Sequence, residues 1–247
     1  MNFPESAIYL VAGRGSRLGD MTAECPKCLI PINGVPLLTR SLRQLSRLGV
    51  KKVILVIGYR SGSFQDHYGS SYMGMEICYV LNPDWSTTNN LVSFDLAVPY
   101  IDTDYILLEG DLIYADDAIS RMHNVDSMAI SPLQDHMDGT VVTLDEDHFV
   151  SMMYLRSTMV QNQGSEPLYK TVNIYCFSLL THNKILLSEV KRFLAQGKHQ
   201  SYYEEAFVEA IEQQALSMKA VSFANQLWYE IDTREDLERA KDLFSDE

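Results

Sequence analysis

Residues 7–12, AIYLVA, are apolar at every position, the pattern of a strand buried on both faces of a sheet. Residues 37–48, LLTRSLRQLSRL, return their leucines at three- and four-residue steps instead, which predicts an amphipathic helix with Gly49 as its stop. A second apolar run follows at 52–57. The alternation then continues through a strand at 76–81, a helix at 89–98, a strand at 105–109 and a helix at 115–123. This rhythm predicts an α/β protein with a Rossmann-like sheet, mixed but mostly parallel, flanked by helices on both faces. Beyond residue 125 the segments 127–132, 139–143, 148–155 and 169–177 read as successive strands, so an antiparallel extension is expected. Helices at 183–196 and 202–214, strands at 217–223 and 228–231, and a helix at 233–243 complete the chain. Thr233 is placed to cap that last helix, with Glu235 and Asp236 in its first turn. Residues 161–167 read as a polar hairpin tip or loop. There is no internal repeat, and a single domain over 1–247 is expected, changing character near 125.

Composition narrows the function classes. With 46% hydrophobic residues in 247, the chain has ample material for a core. A formal charge of −13 argues against binding a nucleic acid, whose backbone is held by basic surfaces. No apolar run approaches the roughly 20 residues of a membrane span, and MNFPES lacks the layout of a signal peptide, so a cytoplasmic address is expected. Of the four cysteines, Cys78 and Cys176 sit in strand-like surroundings as core side chains. Cys25 and Cys28 have CxxC spacing, but no second pair completes a zinc site and no helix follows as in a thioredoxin-like motif.

The candidate chemistry begins where strand one ends. Gly13-Arg-Gly15-Ser16-Arg17-Leu18 would lie at the carboxyl edge of the sheet, where open α/β folds place their ligands. It is not a Walker A loop, because no Gly-Lys-Ser/Thr follows. It is not a full dinucleotide fingerprint either: Leu18 stands at the third glycine, and the loop runs on to Leu29. The second strand ends in Gly58-Tyr59-Arg60 with no acidic residue to hold a ribose, which disfavours a dinucleotide-dependent oxidoreductase. Glycines let backbone amides approach phosphate oxygens, and Arg14, Arg17 and Lys27 add positive charge, although a simple turn remains the alternative.

Those residues carry a resemblance. AGRGSRLGD followed by PKCLIPINGVPLL resembles the loop of nucleotidyltransferases that join a nucleoside triphosphate to a sugar phosphate or small phospho-alcohol. Asn82-Pro-Asp-Trp85-Ser-Thr-Thr-Asn89-Asn90-Leu-Val-Ser93 resembles the phosphocholine cytidylyltransferase branch, and Tyr169-Lys170-Thr-Val-Asn173-Ile-Tyr175 a segment of phosphonate-linked cytidylyltransferases. Tyr202-Tyr203-Glu204 and Glu230-Ile-Asp232-Thr-Arg-Glu-Asp236-Leu fit the same branch. The resemblance implies a nucleotide-binding half over about 1–125 and an acceptor-binding half over about 126–247.

It further implies that Asp111, after strand 105–109, and Asp232 share one Mg²⁺, and that CTP lies against Leu10, Ala12, Gly13, Gly15, Ser16, Arg17, Lys27, Asn89 and Gly110. Arg17, Lys27, Asp111 and Asp232 are the implied catalytic set. Trp85, Asn90, Lys170, Tyr202, Tyr203, Glu204 and Glu230 are expected around the acceptor. A turn at Gly110-Asp111, a helix cap at Asn89 or Asn90 and a surface lysine at 170 stand as the structural alternatives.

The implied reaction attaches CMP to a small phosphonate or phospho-amine, with 2-aminoethylphosphonate favoured over phosphocholine and pyrophosphate released. A sugar-1-phosphate nucleotidyltransferase and a non-catalytic nucleotide-binding protein of the same fold are the rivals. None of His67, His123, His136, His148, His182 and His199 has the partner of an HxGH motif, which disfavours the unrelated cytidylyltransferases built on such histidines.

Overall fold

A computed structural model describes residues 3–135, 137–155 and 166–245. The first part runs β1 (Ser6–Leu10), a small hairpin of β2 (Pro31–Ile32) and β3 (Val35–Pro36), α1 (Leu37–Arg47), β4 (Lys52–Ile57), α2 (Gly62–Tyr68), β5 (Ser71–Tyr72), β6 (Met75–Leu81), α3 (Asn90–Ala97), β7 (Tyr105–Glu109) and β8 (Leu112–Tyr114). The second adds β9 (Ser127–Pro132), β10 (Val141–Leu144), β11 (Val150–Tyr154) and β12 (Tyr169–Phe177). A helical run, α4, then joins Leu179–Thr181, a π turn at His182–Leu186 and Leu187–Ala195, before α5 (Tyr203–Glu212), β13 (Lys219–Ser222), β14 (Trp228–Glu230) and α6 (Arg234–Leu243).

The main sheet has the order β11-β10-β12-β7-β1-β4-β6-β5, with β9 on β12 and β13 on β9. Strands β7, β1, β4 and β6 are mutually parallel, while β12 turns the sheet antiparallel against β7. The expected antiparallel extension is therefore present. From β1 the chain builds outward to β4 and β6, then returns to lay β7 on the other side of β1. That reversal makes a crevice at the carboxyl ends of β1 and β7, the switch point where open α/β sheets take ligands.

Alternation along β1 divides the core. Ala7 and Tyr9 face α1 and α2, packing with Leu38, Leu42, Leu45 and Phe64, while Ile8 faces α3, α4 and α5 with Phe94, Val190 and Phe207. A third, smaller core joins Leu18, Ile30 and Ile32 to Ile113, Ile231, Leu237, Ala240 and Phe244, tying α6 to the loop after β1.

Several sequence expectations need correction. The helix expected over 115–123 is absent; a 3-10 turn at Ala118–Arg121 stands there instead. Ala118, Ile119 and Met122 mimic a helical face, yet that single turn buries all three. The helix expected from residue 89 begins at Asn90, because Asn89 is its N-cap and accepts from the Asn90 amide. The hairpin β2–β3, α2, β5 and β8 were not anticipated. Of the loop expected over 161–167, all but 166 and 167 lies outside the described residues. Among the described residues, no helix is long and apolar enough to cross a membrane.

His182 shows how the core constrains protonation. It is buried against Phe94 and Tyr105, with Nδ1 at 3.0 Å from the Tyr105 hydroxyl, and burial lowers its pKa to about 4. The folded value lies below the unfolded one, so this contribution is complete above about pH 6.5 and is lost as pH falls toward 4. Urea unfolding at pH 7 and pH 5 should show lower stability at pH 5, and His182→Gln should flatten that difference.

Candidate active site

The loop after β1 crosses the crevice and is held by its own backbone. Thr22 Oγ1 donates to the Gly15 and Gly19 carbonyls at 3.2 Å each. The Tyr59 hydroxyl, beyond the end of β4, donates to the Thr22 carbonyl at 2.8 Å and to that of Ala23. Gly15 sits at φ +69, and a Cβ there would stand 2.8 Å from Lys27 Cβ, so the turn needs glycine both for its conformation and for room. Of the three loop cations, Arg14 packs over the Tyr59 ring, while Arg17 and Lys27 reach the cleft.

Two short strands bring the distant aspartates together. β8 pairs with β14, matching Leu112 to Glu230, and the Ile231 amide donates to the Asp111 carbonyl at 2.9 Å. Helix α6 fixes Asp232 from the other side: Thr233 Oγ1 accepts from the Asp236 amide, and the Asp236 carboxylate accepts from the amides of Thr233 and Asp232.

Lys27 Nζ lies between the two aspartates, 3.1 Å from Asp111 Oδ2 and 2.8 Å from Asp232 Oδ1. Burial works against the Lys27 charge, but Asp111 and Asp232 outweigh it and hold its pKa above the ordinary lysine value. Arg17 Nη2 also reaches Asp232 Oδ1, at 2.8 Å. Arg17 is exposed, and such surface pairs contribute only about 0–1 kcal/mol, so its guanidinium is available to another anion. One carboxylate oxygen each from Asp111, Glu230 and Asp232 fall within 4.8 Å of one another. At that separation two like charges repel by about 3–4 kcal/mol at an effective dielectric near 20, so a cation among them is favourable, and the Lys27 ammonium supplies one.

Gly110 sets the approach of this turn to β1. A Cβ there would stand 2.5 Å from Val11 Cγ1 and 3.0 Å from Cys28 Cβ, both buried. Gly110→Ala should therefore destabilise the fold by about 1–3 kcal/mol through overpacking. Thermal unfolding measures that loss, and displacement of Asp111 should lower activity with it.

The other wall of the cleft carries a buried polar cluster. Glu109, the last residue of β7, accepts from the Tyr203 hydroxyl at 2.8 Å and from Asn90 Nδ2 at 3.3 Å. Burial, then the charges of Asp111 and Glu204, push its pKa well up. Asn173 Nδ2 lies 3.5 Å from Glu109 Oε2, and Asn173 adopts φ +58 where β12 shifts register against β9. This bulge re-aims a side chain that a regular strand would point elsewhere. Lys170 is buried at 2% exposure, donates to the Thr171 carbonyl at 2.7 Å and lies 3.6 Å from Glu230 Oε2, so it is not a surface lysine. Burial also raises the pKa values of Glu204 and Glu230.

A cleft of about 1140 Å³ joins these groups. Leu10, Ala12, Gly13, Gly15, Arg17, Lys27, Asn89, Gly110, Asp111 and Asp232 line it, as do Trp85, Asn90, Lys170, Tyr202, Glu204 and Glu230. Two expected residues do not. Ser16 is exposed and is not among the residues lining the cleft. Tyr203 is fully buried behind the wall, its ring against Phe94, Tyr175 and Phe207, and meets the site through its bonds to Glu109 and Asn90. Glu109 and Asn173 were missed as site residues. A carboxylate closing an apolar strand at the switch point was the available signal for Glu109; the bulge that turns Asn173 inward left none.

Fold and site together define an α/β nucleotidyltransferase. The chain belongs to the family of MobA-like NTP transferase domains, whose model matches residues 7–205. A CMP-5'-(3-aminopropyl)phosphonate synthase from Streptomyces rubellomurinus is 34% identical over 98% of this chain, and the chain spans 39% of that protein's length. The UTP–glucose-1-phosphate uridylyltransferase AglF of Haloferax volcanii is 35% identical over 44% of this chain and 44% of its own length. Among solved structures, the CTP:phosphocholine cytidylyltransferase LicC from Streptococcus pneumoniae superposes with a TM-score of 0.77 at 18% identity, covering 96% of this chain and 98% of its own. The inositol-1-phosphate CTP transferase from T. maritima gives 0.76 at 22% identity, covering 98% and 95%. At these identities the two structures speak for the fold alone.

Proposed function

We propose that this chain transfers CMP from CTP to a phosphoryl oxygen of a small phosphonate or phospho-amine, releasing pyrophosphate. The observation that carries the reading is the pair Asp111 and Asp232, held around the Lys27 ammonium at the mouth of the glycine loop. The choice of CTP and of a phosphonate is supported by the Streptomyces relative. Favoured acceptors are 2-aminoethylphosphonate and its one-carbon-longer homologue, with phosphocholine next.

The site suits a divalent cation. Three carboxylate oxygens converge within 4.8 Å, and buried Asp111 Oδ1 has no hydrogen-bond partner among the described residues. Asp111 and Asp232 would hold Mg²⁺, with Glu230 in reach, and the ion would neutralise charge on the triphosphate. The loop amides and Arg17 bind the β- and γ-phosphates. Lys27 moves from the carboxylates to an α-phosphate oxygen, and Lys170 faces the acceptor phosphoryl. An acceptor oxygen, already anionic, forms a bond to the α-phosphorus as the bond to the bridging oxygen of pyrophosphate breaks, so no general base is needed. Positioning and charge stabilisation supply the acceleration.

In this reading the first half of the chain, to about residue 125, holds the nucleotide, and the second half supplies Lys170, Glu204 and Glu230 to the acceptor. Pyrophosphate release across CTP, UTP, ATP and GTP, each with aminoalkylphosphonates, phosphocholine and glucose-1-phosphate, tests it. Release with CTP and an aminoalkylphosphonate is expected; release only with UTP and the sugar phosphate would favour the function named for the Haloferax relative.

A further inference from the structure

We propose that Glu204, seconded by Glu109, recognises a protonated primary ammonium at the end of the acceptor remote from its phosphoryl group, so that the site selects N–H-bearing amines over their trimethylated counterparts. This inference rests on the acceptor reading of the cleft given above.

Among the described residues, carboxyl groups outnumber cations on this wall. Glu109, Glu204 and Glu230 face the cleft with Lys170 as the cation among them, and Lys170 lies 3.6 Å from Glu230. Glu204 is 6% exposed and lines the cleft, and its Oε2 is buried without a hydrogen-bond partner. A buried carboxylate oxygen left bare is costly, so it implies a donor that arrives with the ligand.

The neighbouring side-chain donors point chiefly at Glu109. Asn90 Oδ1 accepts from the Tyr203 amide at 2.9 Å, which fixes the orientation of its amide group and sends Nδ2 toward Glu109. The Tyr203 hydroxyl and Asn173 Nδ2 are likewise directed at Glu109. These bonds run to Glu109, and none of them satisfies Glu204 Oε2.

A metal ion is the less suitable occupant. The convergent carboxylates found among the described residues are Asp111, Glu230 and Asp232, and Glu204 is not one of them. A quaternary ammonium favours the faces of aromatic rings, and among the described residues Trp85 and Tyr202 are the aromatic side chains lining the cleft. The Tyr203 ring is enclosed by Phe94, Tyr175 and Phe207, Trp85 packs edge-on with Tyr59, and Tyr202 lies exposed at the rim. A primary ammonium brings three N–H donors and a positive charge to oxygens that need both; a trimethylammonium brings charge without donors and adds bulk.

The test compares 3-aminopropylphosphonate, propylphosphonate and the N-trimethylated amine, by calorimetric binding and by pyrophosphate release with CTP and Mg²⁺, in the wild type and in Glu204→Gln. In the wild type, removing or trimethylating the amine should each weaken binding and kcat/KM by on the order of 10- to 100-fold. In Glu204→Gln both ratios should collapse toward unity, and Glu204→Asp should restore part of them. The melting temperature and CTP binding show whether each variant is folded, and the wild-type series decides the matter if none is. Equal use of the trimethylated amine, or an undiminished amine preference in folded Glu204→Gln, would overturn the proposal. Amine-dependent binding lost in Glu204→Gln, with no turnover on any acceptor, would support it while refuting the proposed reaction.

Discussion

Asp111→Asn and Asp232→Asn should each lower the rate of pyrophosphate release by on the order of 1,000-fold while leaving the fold intact, because each removes one of two anions placed to grip the same cation. The loss should fall on kcat more than on KM for CTP, since in the proposed reading the loop amides and Arg17 still bind nucleotide. Stability should change little. Each substitution also relieves a repulsion of about 3–4 kcal/mol between close carboxylates, which offsets the weakened contact with Lys27. Steady-state kinetics together with thermal melts measure both halves of this expectation. Full activity in either variant would remove the metal site, whereas loss of folding would assign the aspartates a structural role.

Lys27→Met should produce the second large effect, a fall in kcat on the order of 100- to 1,000-fold, as expected for removing one charged donor from developing charge. A second result follows from the geometry. In the free protein Lys27 stands between Asp111 and Asp232, so its ammonium competes with any divalent ion for the same oxygens. The variant without nucleotide should therefore bind Mn²⁺ more tightly than the wild type, as read by electron paramagnetic resonance of free Mn²⁺. Unchanged Mn²⁺ affinity would mean that the lysine does not share the metal position.

The parallel centre of the fold was legible because β1, β4 and β7 are apolar at nearly every position, and burial on both faces demands that pattern. The loop after β1 was legible for a similar reason: two glycines and a run of cations interrupt apolar sequence where the sheet ends. The meeting of Asp111 with Asp232 was not. It depends on β8 and β14, three residues each, and strands that short carry no readable period. Family resemblance supplied that pairing, and the bond from Ile231 to the Asp111 carbonyl gives its physical cause.

Side-chain direction was harder still to read. Tyr202 and Tyr203 look alike in sequence, yet Tyr202 is the exposed N-cap of α5, while Tyr203 belongs to that helix's buried stripe with Ala206, Phe207 and Ala210. Lys170 occupies a strand position that reads equally well as surface. Its charge is met at 3.6 Å by Glu230, a partner on β14 that only the folded chain brings near.

Phosphorus NMR of CTP, an aminoalkylphosphonate and Mg²⁺ incubated with the protein tests the central claim most directly. Pyrophosphate should appear together with a coupled pair of resonances from a new phosphonate–phosphate anhydride, marking attack at the α-phosphorus. Orthophosphate and CDP in their place, or no new phosphorus signal at all, would contradict it.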